Sequence, residues 1–231
     1  MTAVEEAVEP AYLTATRTGY DTVAAAYAGL LAADLDRNPF DRAVLALFAD
    51  LVRDTERAAD GARAAAGRVV EIGCGPGRIT AHLAGLGLDV FGIDLSPAMV
   101  EQARQRHPGL EFQVGEMSAL SLPPEALTGL VAWYSLIHIP PARRPAVLAG
   151  FHRVLAPGGH LLLAFHAGDE RRHITDAYGH TGLSIDSYRL PPDRVEQEAA
   201  AVGFHPVARL TREPIVPEKT SQAYLILRKA A

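Results

Sequence analysis

From Arg68 onward, short apolar runs alternate with helix-period segments, and this alternation constrains the fold more than any other feature of the chain. The runs are Val69–Ile72, Leu88–Ile93, Leu110–Val114, Leu130–Tyr134 and His160–Phe165. The helical stretches between them are Ile79–Leu86, Pro97–Arg106 and Pro145–Leu155. Strands joined through helices pair in parallel, because a parallel pair needs a crossover long enough to return the chain to the same end. The expected fold class is therefore α/β, a doubly wound sheet with helices on both faces. Helix starts carry chemical marks. Ser96-Pro97 reads as an N-cap followed by a first-position proline, and Val147, Leu148, Phe151 and Leu155 form one apolar stripe.

On the N-terminal side, the pattern from about Gly19 to Arg57 is helical. Asn38-Pro39 reads as a cap and first turn, and Val44, Leu47, Phe48, Leu51 and Val52 fall on one face. Glu56 to Gly67, mostly Ala, Gly and charge, reads as a helix end and linker. Residues 1–67 are thus expected to form a helical cap and linker, and residues 68–231 the α/β core, in one structural domain overall. After Phe165 a polar, histidine-containing stretch (Gly168 to Leu190) interrupts the alternation. Pro192 then opens a helix with Val195, Ala199 and Val202 on its apolar face and Gly203 as C-cap. Two final strands are expected near Phe204–Thr211 and Gln222–Arg228. The Pro- and Glu-containing link between them suits a hairpin, so the last strand should run antiparallel.

Composition narrows the function classes. The 231 residues are 48% hydrophobic and 21% charged, the balance of a globular protein with a full core. A formal net charge of −5 and the absence of a Lys/Arg cluster argue against nucleic acid as a partner. The single cysteine, Cys74, excludes an intrachain disulfide and a multi-cysteine zinc site, and no metal is expected. Met1 to Pro10 carries Glu5, Glu6 and Glu9 in place of a basic, apolar leader, and no apolar run is long enough to span a bilayer. The expected location is cytoplasmic, with no membrane partner.

The segment Val69-Val70-Glu71-Ile72-Gly73-Cys74-Gly75-Pro76-Gly77 sits where a strand ends and a helix begins, at the sheet edge where such folds bind ligands. Glycines there let the backbone turn tightly and approach a ligand closely. A dinucleotide fingerprint wants Gly or Ala at the third position of its G-x-G-x-x-G pattern. Counted from Gly73 and Gly75, that position is Arg78, and the third glycine comes one residue early, at Gly77. The next strand ends in Gly92-Ile93-Asp94. A carboxylate there can accept both ribose hydroxyls of an adenosine ligand, or can serve as a helix N-terminal charge before Ser96.

Glu71-Ile72-Gly73-Cys74-Gly75-Pro76-Gly77 followed by Gly92-Ile93-Asp94-Leu95-Ser96-Pro97-Ala98-Met99 resembles the first two motifs of class I S-adenosylmethionine-dependent methyltransferases. Arg153-Val154-Leu155-Ala156-Pro157-Gly158-Gly159 before an apolar strand is similar to a later motif of that family. In element order the likeness runs from about Tyr20 to Arg228. It implies a Rossmann-like seven-stranded mixed sheet of order 3-2-1-4-5-7-6 with strand 7 antiparallel, an N-terminal helical cap, and S-adenosylmethionine as cofactor with S-adenosylhomocysteine as product.

The resemblance also assigns roles. Gly73, Gly75 and Gly77 line the methionine portion and ribose, with Cys74 in the same turn as a small packing residue. Glu71 helps to orient the ammonium group. Asp94 holds the ribose hydroxyls, and Leu95 and Met99 lie against the adenosine. Glu116 accepts from the adenine amino group while Met117 packs on the ring, although the family more often has Asp where Glu116 stands. Tyr20 and Tyr27 fit a Tyr-Asp…Tyr pattern that closes over the cofactor, or else pack as ordinary helix residues. Tyr134 borders the same site.

Methyl transfer from a sulfonium asks mainly for alignment and exclusion of water, and for a base only when the acceptor must lose a proton. Two histidines are candidate catalytic residues: His138, after the fourth strand, and His166, at the end of the fifth. For His138 a structural bond to a loop carbonyl is the alternative. His173, Tyr178, His180 and Tyr188 are expected in the acceptor wall. With Trp133, Tyr134, Phe165 and Tyr188 nearby, the pocket should be enclosed and partly apolar, which suits a small organic acceptor such as a secondary metabolite. The competing readings are a same-fold enzyme that uses the cofactor without methylating, as a cyclase would, and a non-catalytic adenosine-ligand-binding module.

Overall fold

The computed structural model describes residues 9–31, 34–58 and 67–230. The acidic residues Glu5 and Glu6 and most of the expected linker (59–66) lie outside the described residues. Among the described residues three helices precede the sheet: α1 (Ala11–Leu30), α2 (Asp34–Arg37) and α3 (Pro39–Ala58). Helical structure begins at Ala11, earlier than the expected Gly19. The buried face of α1 is Leu13, Thr16, Gly19, Val23, Ala24 and Ala28, and its small and polar members hide the hydrophobic period. In α3 the Asn38 side chain accepts from the Asp41 amide at 3.2 Å, the expected cap. The buried face of α3 holds Val44, Leu45, Phe48, Ala49 and Val52, whereas Leu47, expected on it, is exposed.

The alternation then unfolds as expected. It gives β1 (Arg68–Ile72), α4 (Arg78–Gly85), β2 (Asp89–Asp94), α5 (Pro97–Arg106), β3 (Phe112–Val114), β4 (Leu127–Trp133), α6 (Arg144–Val154) and β5 (Leu155–His166). Ser96 caps α5, its hydroxyl accepting from the Met99 amide at 3.1 Å. After β5 come β6 (Glu170–Ala177), β7 (His180–Arg189), α7 (Pro192–Ala201), β8 (Phe204–Arg212) and β9 (Gln222–Lys229). The main sheet has the order β3-β2-β1-β4-β5-β9-β8, with β9 antiparallel to both β5 and β8. This is the expected seven-stranded arrangement. Val70, Ile72, Leu130, Leu161, Phe165 and Leu225 bury one face among α6 and α7 residues such as Phe151 and Val195. Val69, Val131, Leu162 and Ile226 bury the other against Phe48, Val52, Ile79 and Leu83 of α3 and α4.

The polar stretch after β5 departs from expectation. It is a second, two-stranded sheet in which β6 and β7 pair antiparallel around a two-residue turn at Tyr178-Gly179. Both turn residues have positive φ, +53° and +80°, as a primed hairpin turn requires. Leu183, Ile185 and Ser187 on one side of β7 are buried. Ile185 meets α1 at Gly19, where a Cβ would lie 2.4 Å from the Ile185 Cδ1. Only a glycine allows so close a crossing.

Candidate active site

The turn from Gly73 to Gly77 joins β1 to α4 with positive φ at Gly73, Gly75 and Gly77 (+75°, +54° and +82°). The Gly73 and Cys74 amides both donate to the Ile93 carbonyl, at 2.7 and 3.1 Å. Asp94 ends β2 with one carboxylate oxygen accepting from the Gly75 amide at 2.7 Å and the other from the Ser96 amide at 2.8 Å. Burial still raises its pKa to about 6, outweighing the two amides that favour the charged form. Sequence reasoning missed Asp21. From α1 it accepts from the Ser96 hydroxyl at 2.5 Å and from the Ala98 amide at 3.1 Å, fastening α1 to the start of α5. Its signal was the acidic residue directly after Tyr20.

Above this turn lies a cavity of about 80 Å³. It is lined by Gly73, Gly75, Asp94, Leu95, Met99, Glu116 and Met117, and by Tyr20, Tyr27, Tyr134 and His138. Leu13, Thr16, Ser135 and Ile139 also line it without having been expected. Thr16 and Leu13 stand about one and two turns before Tyr20 on the same helix face, which a helical projection would have shown. Glu116 stays half-buried and accepts from the Ser118 hydroxyl at 2.8 Å.

Four of the expected residues lie elsewhere. Glu71 is buried behind the turn, where its carboxylate accepts from the Thr80 hydroxyl, and burial pushes its pKa up to about 8. Cys74 packs among Val100, Ala103 and Phe112, and the same desolvation raises its thiol pKa. Gly77 faces Phe112, whose Cζ would lie 2.7 Å from a Cβ at that position; its glycine serves packing. His166 stacks against Tyr134 at a ring distance of 4.9 Å and pairs through Nδ1 with the Gln222 side-chain oxygen at 2.9 Å. Among the described residues the hairpin does not line the cavity either, contrary to the expected acceptor wall. It backs the wall instead, with Tyr178 edge-on to Tyr27 at 4.9 Å and the Asp186 carbonyl against His138. His173 and Arg171 pair with the Asp186 carboxylate at 2.9 and 2.7 Å on the outer side.

His138 closes a single 3₁₀ turn after Tyr134 and is buried. Its Nδ1 lies 2.9 Å from the Asp186 backbone carbonyl and its Nε2 2.8 Å from the Tyr20 hydroxyl. A carbonyl only accepts, so Nδ1 carries the proton and Nε2 presents its lone pair to the phenol. Burial lowers the His138 pKa, so the neutral ring is favoured. Ser135 is committed elsewhere, donating to the Ile72 carbonyl at 2.6 Å. No group of three or more metal-ligating side chains occurs among the described residues, and none of their helices is long and apolar enough to cross a membrane.

Residues 69–159 match a family described as a methyltransferase domain. An uncharacterized methyltransferase of Mycobacterium tuberculosis is 32% identical over 133 residues, which cover 55% of this chain and 54% of that protein. A trans-aconitate 2-methyltransferase of Methylobacterium nodulans is 37% identical over 100 residues, covering 42% of this chain and 37% of that one. The chain thus spans about half the length, or less, of these curated relatives. Among solved structures, the 1,6-didemethyltoxoflavin-N1-methyltransferase of Burkholderia thailandensis has a TM-score of 0.66 at 18% identity, over 99% of this chain and 94% of that one. That likeness shows a shared fold. Over residues 69–159, less than half of the chain, the sequence is thus similar to a methyltransferase domain, within a fold shared with solved methyltransferases.

Proposed function

We propose that the protein binds S-adenosylmethionine across the Gly73–Gly77 turn and Asp94, and transfers its methyl group to a small organic molecule held beneath α1. One observation carries this reading: one cavity is lined both by Gly73, Gly75 and Asp94 and by Tyr20, Tyr134 and His138. The residues fit the cofactor. A Cβ on Gly75 would meet only the Tyr27 ring, at 3.7 Å, so the absent side chain leaves open the space a ligand needs. Asp94 offers a carboxylate at the strand end, and Leu95 and Met99 supply apolar surface beside it.

When bound, the cofactor supplies a methyl group already activated by a sulfonium. The chain supplies alignment and a dry site, for which effective molarities of ~10⁵ M or more are available. The cavity's enclosure by α1 and the Tyr134–Ile139 segment favours a small acceptor over a macromolecule. The net charge of −5 weighs against nucleic acid.

Calorimetric titration with S-adenosylmethionine, S-adenosylhomocysteine and NAD tests the cofactor. The first two should bind and NAD should not. Incubation with methyl-labelled cofactor and metabolite fractions should then give labelled product and S-adenosylhomocysteine in equal amounts. NAD binding without S-adenosylmethionine binding would reject the reading, and cofactor turnover without methyl incorporation would replace methylation with another reaction.

A further inference from the structure

We propose that Tyr20 is the catalytic residue that meets the acceptor, passing the acceptor's proton through its hydroxyl to His138, and that the acceptor is therefore a hydroxyl-bearing small molecule. This rests on the methyl-transfer reading above.

Three segments far apart in sequence converge to make the relay. Tyr20 comes from α1, His138 from the turn after β4, and the Asp186 carbonyl from β7. Because that carbonyl fixes the proton on Nδ1, only Nε2 can act as a base, and its lone pair already receives the Tyr20 hydroxyl at 2.8 Å. A proton from an acceptor in the cavity therefore reaches His138 through Tyr20. Tyr20 lines the cavity, and the bond to Nε2 is its hydroxyl's one hydrogen bond to the described residues, which leaves the oxygen's lone pairs to accept. The alternatives nearby are occupied. Ser135 donates to Ile72, and Asp94 accepts from two backbone amides.

The step balances in atoms and charge. The acceptor oxygen forms a bond to the methyl carbon as the carbon–sulfur bond of the sulfonium donor breaks, and its electron pair stays on sulfur as a thioether. The acceptor's proton moves to the Tyr20 oxygen while the Tyr20 proton moves to Nε2. His138 becomes an imidazolium with its Nδ1–H on the Asp186 carbonyl, and later loses the proton to solvent. Burial raises the Tyr20 pKa well above that of a free phenol, so a free phenolate is disfavoured and the two transfers run together. The titratable residues placed against His138 are Tyr20 of α1, His166 of β5 and Asp186 of β7, while Tyr27, Asp94 and Glu116 share the cavity lining with it. The Asp186 carboxylate is itself tied to Arg171 and His173. A relay of this kind matters when the nucleophile must lose a proton in the transition state, as a hydroxyl does and a neutral amine does not.

The test pairs a spectroscopic with a kinetic readout, on wild type, Tyr20→Phe, His138→Gln and the double variant. In the protein without cofactor, labelled at its histidine ring nitrogens, NMR should show His138 protonated at Nδ1, with an Nε2 signal that shifts in Tyr20→Phe. Methyl transfer is then measured to 4-methoxyphenol, which keeps its proton at mildly alkaline pH, and to 4-nitrophenol, which is largely ionised there. Each single variant should lower kcat for 4-methoxyphenol by roughly 10²–10⁴-fold, and by at least about tenfold more than for 4-nitrophenol. The double variant should be no worse than the singles, as for residues acting as one unit. Equal losses on both phenols would reduce Tyr20 to a structural role and overturn the relay, as would a proton found on Nε2 in the wild type. Cofactor binding with no transfer to either phenol would overturn the hydroxyl assignment alone. Absence of cofactor binding would overturn the methyl-transfer reading beneath it.

Discussion

The Gly75 amide donates to the Asp94 carboxylate across 2.7 Å, so the turn after β1 and the tip of β2 are held as one unit. The group expected to hold a ribose is thus also a bracket for the protein's own backbone. Asp94→Ala should do two things at once. Hydrogen bonds to a charged group contribute ~1.5–3 kcal/mol each, so S-adenosylhomocysteine binding should weaken tenfold to several hundredfold. The orphaned Gly75 and Ser96 amides should cost the fold about 1–3 kcal/mol. Calorimetric titration and urea unfolding separate the two effects. An unchanged dissociation constant in a folded variant places the ribose elsewhere.

Gly73 and Gly75 should respond differently to the same methyl group. Gly73→Ala combines a left-handed backbone with a Cβ 2.3 Å from that of Ser135, whose hydroxyl is committed to Ile72. Gly75→Ala has the strained φ but only an ordinary contact with Tyr27. The first should lose more than ~2 kcal/mol of stability and the second about 1–2 kcal/mol, the conformational cost alone. Gly75→Ala should nevertheless lose cofactor binding, because its methyl occupies the cavity. Melting curves with and without S-adenosylhomocysteine decide this, and a larger stability loss in Gly75→Ala than in Gly73→Ala would contradict it.

Burial raises Glu71 to about 8, whereas an unfolded glutamate titrates near ~4.3. Between those values the folded chain holds more protons than the unfolded one, so the Glu71 contribution makes stability fall as pH rises. The penalty is absent below about pH 4 and complete above about pH 8. Glu71→Gln removes the titration, so the variant should gain on wild type by up to ~1.4 kcal/mol per pH unit across the window. Urea midpoints at pH 5 and pH 8 measure it. An equal difference between the two proteins at both values would show that Glu71 titrates normally.

His138 and His166 should part company in catalysis. The His138 ring borders the cavity, while His166 is held against Tyr134 and Gln222 outside it. For a hydroxyl acceptor, His138→Ala should lower turnover by roughly 10²–10⁴-fold with cofactor affinity nearly intact, and His166→Ala should lower it far less. Collapse in His166→Ala beside normal turnover in His138→Ala would move the base to β5.

The glycine turn and Asp94 were legible because their chemistry is local. Glu71 to Gly77 and Gly92 to Met99 each span one strand end and one helix start, and the backbone demands of that junction show directly as glycine, proline and serine. The Tyr20 and His138 part of the cavity is assembled from residues separated by more than a hundred positions, joined by the bond between them. Sequence spacing carries no trace of such a contact. The β6–β7 hairpin was missed for a different reason. The outer face of β6 is exposed along most of its length, and Tyr178 stands in the turn where asparagine or aspartate would give the usual signal. The alternation Leu183, Ile185, Ser187 was present in the sequence but is short and partly polar. His166 was read toward the site because it ends β5, yet the turn of the strand there aims it at Gln222.

Gly19 gives the close crossing of α1 and β7 a meaning beyond packing. Tyr20 is its immediate neighbour, and the depth at which α1 lies on Ile185 sets how far the phenol reaches toward His138. A Cβ at position 19 would press on the Ile185 side chain, so that side chain or the helix must shift to admit one. The placing of the Tyr20–His138 bond thus leans on a neighbour that has no side chain.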